Sequence, residues 1–252
     1  MKAAQSGCGP TIRPSGLLVQ MMSPTASAAA RKRASLAANA RAVRPRSNEL
    51  TCMAYYALST QLLAKSAKVL GHVEDAERYE ELHASIVDSF HREFFTPNGR
   101  LAARTQTAHI LALYFQLVPE AYRERTVQTL LTLLEEQDGH LVTGFVGTPY
   151  FCHALSENGQ ADAAWRLLMK DDFPSWLYQV KAGATTIWEH WDGIKPDGSM
   201  WSPDMNSFNH YAYGAIGEWL YRAAAGIDTD ESGPGFKPIR SEERRWGEEG
   251  RS

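Results

Sequence analysis

The sequence predicts an all-α protein built of helical hairpins arranged as an α/α toroid. Two observations carry this prediction. From Cys52 to Gly226 apolar residues recur at helical spacing, and short, very apolar segments alternate with amphipathic ones across brief loops. No segment of any length is rich in strand alternation, and no 34-residue repeat marks a tetratricopeptide-like solenoid. A buried inner helix beside a half-exposed outer one is the hairpin such a toroid needs.

The elements follow in order. CMAYYALSTQLLAKSAKVLG is helical in spacing and stops at Gly71, a residue suited to the position just past a helix end. DAERYEELHASIVDSFHREFF places Ala76, Tyr79, Leu82, Ile86 and Phe90 on one face, and TPNGR follows as a turn. TQTAHILALYFQLV is a short, very apolar helix, and Pro119 opens the next, AYRERTVQTLLTLLEEQ. After the loop GHLVTGFVGTP come YFCHALSEN, then Gly159, then QADAAWRLLMK. SFNHYAYGAIGEWLYRAAAG reads as a long helix ending at Gly226.

Length and charge set the organisation. The 252 residues suit one large domain, or one domain with an extension. Residues 1–48 carry eight Lys or Arg and no Asp or Glu, whereas residues 49–252 carry 18 basic and 29 acidic residues. The first segment, rich in Ala, Arg, Ser and Pro, is expected to be a disordered basic extension unrelated to the domain, because such composition buries little surface. The domain is expected over 49–240, with a charged tail over 241–252. The net charge of −3 gives no reason to expect nucleic acid as a partner. Cys8, Cys52 and Cys152 form neither a disulfide framework nor a zinc spacing, which suits reduced thiols in a cytoplasmic protein. No run approaches the ~18 apolar residues of a membrane span, so no membrane partner is expected.

The chemistry concentrates late in the chain. Five of the seven tryptophans fall between residues 176 and 219, together with Tyr178, Phe208, Tyr211 and Tyr213. Aromatic faces suit the C–H faces of sugars, and Asn206, Asn209 and His210 in MNSFNHYAYG supply the donors and acceptors a polyol needs. Core packing is the competing reading for each aromatic alone. Within TTIWEHWDGIKPDG, Glu189 sits between Trp188 and Trp191. A carboxylate in such company is either a buried ion pair, with Lys181 or Arg222, or a working acid–base group. Glu189 is the expected catalytic residue. Asp192, three residues on, is its neighbour on one turn if the segment is helical, and is read as a substrate ligand. His190 beside these carboxylates lacks any metal-ligand spacing, so no metal or cofactor is expected. His109, in an apolar helix, reads as a satisfied core histidine.

The segments TQTAHILALYF, GHLVTGFVGTPY, DFPSWLYQVKAGATTIWEHWDGIKPDG and MNSFNHYAYGAIGEWLYRAAAGI closely resemble bacterial α-L-rhamnosidases of glycoside hydrolase family 78. They are similar to the C-terminal part of its six-hairpin (α/α)6 barrel, from about Thr51 to Arg240. The resemblance implies an inverting hydrolase of terminal α-L-rhamnose, with the rhamnose-containing glycoside as partner. It implies that Glu189 of TTIWE is the general base and that His210 of NHYAYG lies in the sugar pocket. Trp188, Trp191, Asp192 and Asn209 are the further expected sugar contacts.

The chain also departs from the family pattern. The general acid of the family lies upstream, in an acidic stretch resembling DxxxRxERxGWxGD, and residues 1–48 hold no acidic residue in that place. The family's β-domains have no counterpart either. The chain therefore reads as a piece of the barrel, inactive alone, with open edges such as TQTAHILALYF through which copies self-associate. The competing readings are a catalytically silent sugar- or protein-binding remnant, and another (α/α)6 sugar hydrolase or epimerase.

Overall fold

A computed structural model of the chain describes residues 28–204, 206–229 and 239–241, with side chains from Ser47 onward outside the final strand. Contacts divide the chain at Arg46 and Ser47, close to the expected boundary at 48. The first unit contributes the opening turns of helix α1 (Ala28–Leu70). The expected disordered extension is therefore helical from Ala28, as its alanine-rich sequence favours. Residues 1–27 of that extension lie outside the described residues.

Within the second unit, α1 buries one narrow face through Leu50, Ala54, Ala57, Thr60, Ala64 and Ala67. It ends at Gly71, whose φ of 77° lets the His72 N–H reach back to the Ala67 carbonyl at 2.9 Å. Helix α2 (Val73–Phe94) packs Ala76, Ile86, Phe90 and Phe94 inward. Tyr79 is half-buried and Leu82 exposed, so the expected five-residue face holds only at three of its positions.

Helix α3 (Gln106–Tyr114) is the centre of the core. Thr105 caps it by accepting the Ala108 N–H, and Ala108 through Leu113 are all buried. This overturns the expectation that TQTAHILALYF is an open edge: Ala108–Leu113 are buried, and elements later in the chain pack against its helix. One of these is α4 (Arg123–Glu135), which a 3₁₀ turn at Glu120–Tyr122 introduces just past Pro119. Helices α6 (Phe151–Ser156) and α7 (Ala161–Leu168) form the next packed pair, preceded by the short α5 (Gly144–Gly147) and a turn at Thr148–Tyr150. Phe90, Ile110, Leu111, Leu117, Leu130, Phe151, Leu155 and Trp219 are fully buried between these pairs. Burying a side chain of this size contributes about 1.5–3 kcal/mol.

Helix α8 (Trp176–Lys181) begins at Ser175, whose hydroxyl accepts the Tyr178 N–H. Residues 184–204 and 206–210 then run as an irregular loop. The long helix expected from SFNH onward begins only at Tyr211 and is divided into α9 (Tyr211–Gly214), α10 (Ile216–Trp219) and a π-helical turn, Leu220–Ala224. Gly226, with φ 69°, ends it as expected. Strands β1 (Ile227–Thr229) and β2 (Ile239–Ser241) then pair antiparallel, with Asp228 opposite Arg240. Both strands are three residues long, too short for the alternation that marks a strand in sequence. Among the described residues no helix is long and apolar enough to cross a membrane.

Candidate active site

The site is made by the irregular loop between α8 and α9, and hydrogen bonds to its backbone hold it in place of secondary structure. The Gln179 side chain, 1% exposed on α8, reaches the loop at two points. Its Oε1 accepts the Trp188 N–H at 3.2 Å, and its Nε2 donates to the His190 carbonyl at 3.1 Å. The residue between those contacts is Glu189. The Glu189 N–H donates to the Ser207 carbonyl at 2.8 Å, and the Ser207 N–H returns to Glu189 Oε2 at 3.1 Å. The His210 N–H donates to the Ile187 carbonyl at 2.8 Å, closing the loop on itself. Asn206 Nδ2 and the Trp201 N–H both donate to the Gly193 carbonyl. A Cβ at Gly193 would lie 3.2 Å from the Trp188 ring and 3.4 Å from Asn206 Oδ1, so a side chain here would press on the Trp188 ring.

The ion-pair reading of Glu189 fails. Lys181 pairs with Asp171, and Arg222 pairs with Glu218 at 3.1 Å and Asp228 at 2.9 Å. Glu189 is half-buried, its Oε2 is held by a backbone N–H, and among the described residues Oε1 takes no hydrogen bond. A carboxylate anchored by one oxygen and open at the other is arranged to accept a proton. Asp192 is not its neighbour on a helical turn, because the segment is not helical. It is half-buried and further along the loop.

The aromatic residues separate into two kinds. Trp188 is 3% exposed and packs edge-on against Phe208, with ring centroids 5.6 Å apart. It offers no open face to a sugar, contrary to the expected contact, because the loop folds over it. Trp191 is half-buried, stacked on Tyr213 at 3.9 Å and edge-on to Trp176 at 5.4 Å. The Trp176 indole N–H donates to the Tyr213 carbonyl at 2.8 Å, joining α8 to α9. Burial raises the pKa of the Tyr213 phenol, and the negative charge of Glu189 raises it further. His210 caps α9 by accepting the Ala212 N–H on Nδ1 at 3.3 Å, and its ring lies on Phe145, with centroids 4.6 Å apart. Asn209 is exposed, with its N–H on the Ser207 hydroxyl.

Outside the loop, His109 is a core histidine as expected. Its Nδ1 bonds the Thr105 carbonyl at 2.8 Å, and burial pushes its pKa down to about 4. His190 stacks on Trp201 at 3.6 Å. Among the described residues no group of His, Cys, Asp or Glu is arranged to hold a metal ion. The sequence reading missed Gln179, Ser207 and Phe145, and named Tyr213 only within the aromatic cluster. For Gln179 a signal existed, an uncharged polar residue within the apolar turn WLYQV.

Residues 35–224 match the bacterial alpha-L-rhamnosidase 6 hairpin glycosidase domain. An alpha-L-rhamnosidase of Streptomyces avermitilis is 43% identical over 185 residues, which cover 73% of this chain and 18% of that protein. One from Formosa agariphila is 43% identical over 189 residues, covering 74% of this chain and 20% of the relative. Among solved structures, the S. avermitilis enzyme complexed with L-rhamnose superposes with a TM-score of 0.67 at 45% identity, over 70% of this chain and 17% of that one. The alpha-L-rhamnosidase from Aspergillus terreus gives 0.67 at 39% identity, over 70% and 20%. The chain thus spans about a fifth of the length of the relatives it matches. The all-α reading and the six-hairpin class both hold, and the chain belongs to the bacterial α-L-rhamnosidase six-hairpin glycosidase family.

Proposed function

We propose that this chain supplies the general-base half of an inverting α-L-rhamnosidase site, acting on terminal rhamnose in a rhamnose-containing glycoside. The observation that carries the reading is the state of Glu189: one carboxylate oxygen fixed by the Ser207 N–H, the other open, in a loop lined by Trp191 and His210. In an inverting hydrolysis the base removes a proton from water as the water attacks the anomeric carbon. A carboxylic acid on the opposite face, roughly 6.5–9.5 Å from the base, protonates the departing oxygen. Glu189 fills the first role. Residues 1–48, where the family pattern places the acid, hold no acidic residue, and we assign the acid to barrel sequence outside residues 1–252.

Two assays test this. The chain alone should give no turnover of an aryl α-L-rhamnoside. A hybrid joining it to the upstream part of the S. avermitilis domain should turn over and release β-L-rhamnose first. In that hybrid, Glu189→Gln should lower kcat by about 10²–10⁴. Retention of more than about a tenth of kcat would remove Glu189 from the mechanism.

A further inference from the structure

We infer that Gln179 is a positioning residue for Glu189, holding the peptide groups on both sides of it through one buried side-chain amide. This deepens the proposed function and rests on Glu189 being the base. A loop without helix or strand has no ladder to fix the direction of a carboxylate. Gln179 supplies the missing constraint. Its acceptor takes the Trp188 N–H and its donor takes the His190 carbonyl, so the chain is gripped one residue before and one residue after Glu189. With both neighbours fixed, Glu189 makes its reciprocal pair with Ser207 from the far side. The backbone on either side of the base is thereby tied to α8 and to the 206–210 segment at once.

The amide of Gln179 is itself well placed to act as a rigid strut. Its residue is 1% exposed on α8, one turn past the buried Trp176 that ties the same helix to Tyr213. A buried amide with both ends bonded is costly to remove, since Met in its place leaves a peptide N–H and a carbonyl without partners. Glutamate in its place keeps the acceptor and loses the donor while ionised.

Hydrogen exchange read by mass spectrometry on the 252-residue chain tests the inference without requiring activity. In Gln179→Met, segments containing Glu189 and Ser207 should exchange at least tenfold faster, with segments from α3 and α6 unchanged. Gln179→Glu should do the same above neutral pH. Protection kept at Glu189 and Ser207 in either variant overturns the role, and so does loss of protection throughout the chain in both, because Gln179 would then hold the fold and not the loop. In the hybrid, Gln179→Met should lower kcat 10- to 100-fold with KM within twofold. Full kcat in Gln179→Met beside a disabled Glu189→Gln refutes positioning alone. A fully active Glu189→Gln refutes the base assignment on which the inference rests.

Discussion

Trp191 lies flat on Tyr213, ring centroids 3.9 Å apart and planes 10° from parallel, and the buried phenol of Tyr213 senses the charge of Glu189. Burial of Tyr213 disfavours tyrosinate, and the Glu189 carboxylate disfavours it further. Glu189→Gln removes the second effect only. The Tyr213 pKa should therefore fall in that variant yet stay above the usual tyrosine value, as followed by NMR of ring-labelled tyrosine. An unchanged titration would mean that the two groups do not sense each other. Because the folded pKa is raised, the stabilisation is present below the unfolded value of about 10 and is lost as pH rises above it.

His210 caps α9, and the proposed sugar contact is a second role that one substitution would confuse with the first. Its Nδ1 accepts the Ala212 N–H, which leaves the proton on Nε2 for a sugar hydroxyl. His210→Ala loses both, so thermal stability should drop by about 1 kcal/mol along with affinity. His210→Asn keeps a good cap and should lose only the sugar contact. In the hybrid, calorimetric titration with L-rhamnose should show binding weaker by about 1–3 kcal/mol in both variants. Unchanged affinity in His210→Asn would leave the residue with its capping role alone.

His109 should contribute to the acid sensitivity of the fold. Burial keeps this imidazole neutral, with its pKa pushed down to about 4. Above the unfolded value of about 6.5 neither state is protonated, and the full stability is present. As pH falls through the interval to about 4, the unfolded chain takes a proton that the folded chain refuses. Stability should fall by roughly 1.4 kcal/mol per pH unit there. His109→Asn should be less stable at pH 7 and should flatten that slope in urea unfolding. An equal slope in both proteins would assign the acid sensitivity to other groups.

What could be read from the sequence was what periodicity and punctuation encode. Gly71, Pro119 and Gly226 each mark an element boundary in the folded chain, and the unbroken apolar run Ala108–Leu113 is indeed core. Glu189 and His210 were legible through a motif. The clamp around them was not, because Gln179 is separated from its contacts by a loop with no period, and Ser207 meets Glu189 across 18 positions. The broken C-terminal helix was hidden for a related reason. His210 spends its side chain capping at Tyr211, so SFNH cannot continue the helix backwards, although its composition permits one. The burial of α3 is not legible from hairpin pairing counted around a barrel, because α4 and α6 lie against it from within this same chain.

One exposed apolar surface lies on α1 from Tyr56 onward. This helix is apolar on two faces. One is the buried alanine row; the other exposes Tyr56, Leu63 and Leu70 at seven-residue steps, with Leu62 and Val69 beside them and Val73 just beyond. A helix apolar on both sides is normally covered on both sides, and a contiguous patch of this kind drives association. We expect the chain alone to elute from size-exclusion chromatography as dimers or larger species, in a concentration-dependent way. The steps of seven place Leu63 and Leu70 along one line, so Leu63→Lys with Leu70→Lys should interrupt it at two points. Both side chains are at least half exposed, so folding should be affected little, within about 0.5 kcal/mol for each surface change. The doubly substituted chain should elute as a monomer with an unchanged helical circular dichroism spectrum. A wild-type chain that is monomeric at every concentration would show that the patch is too small or too mobile to pair.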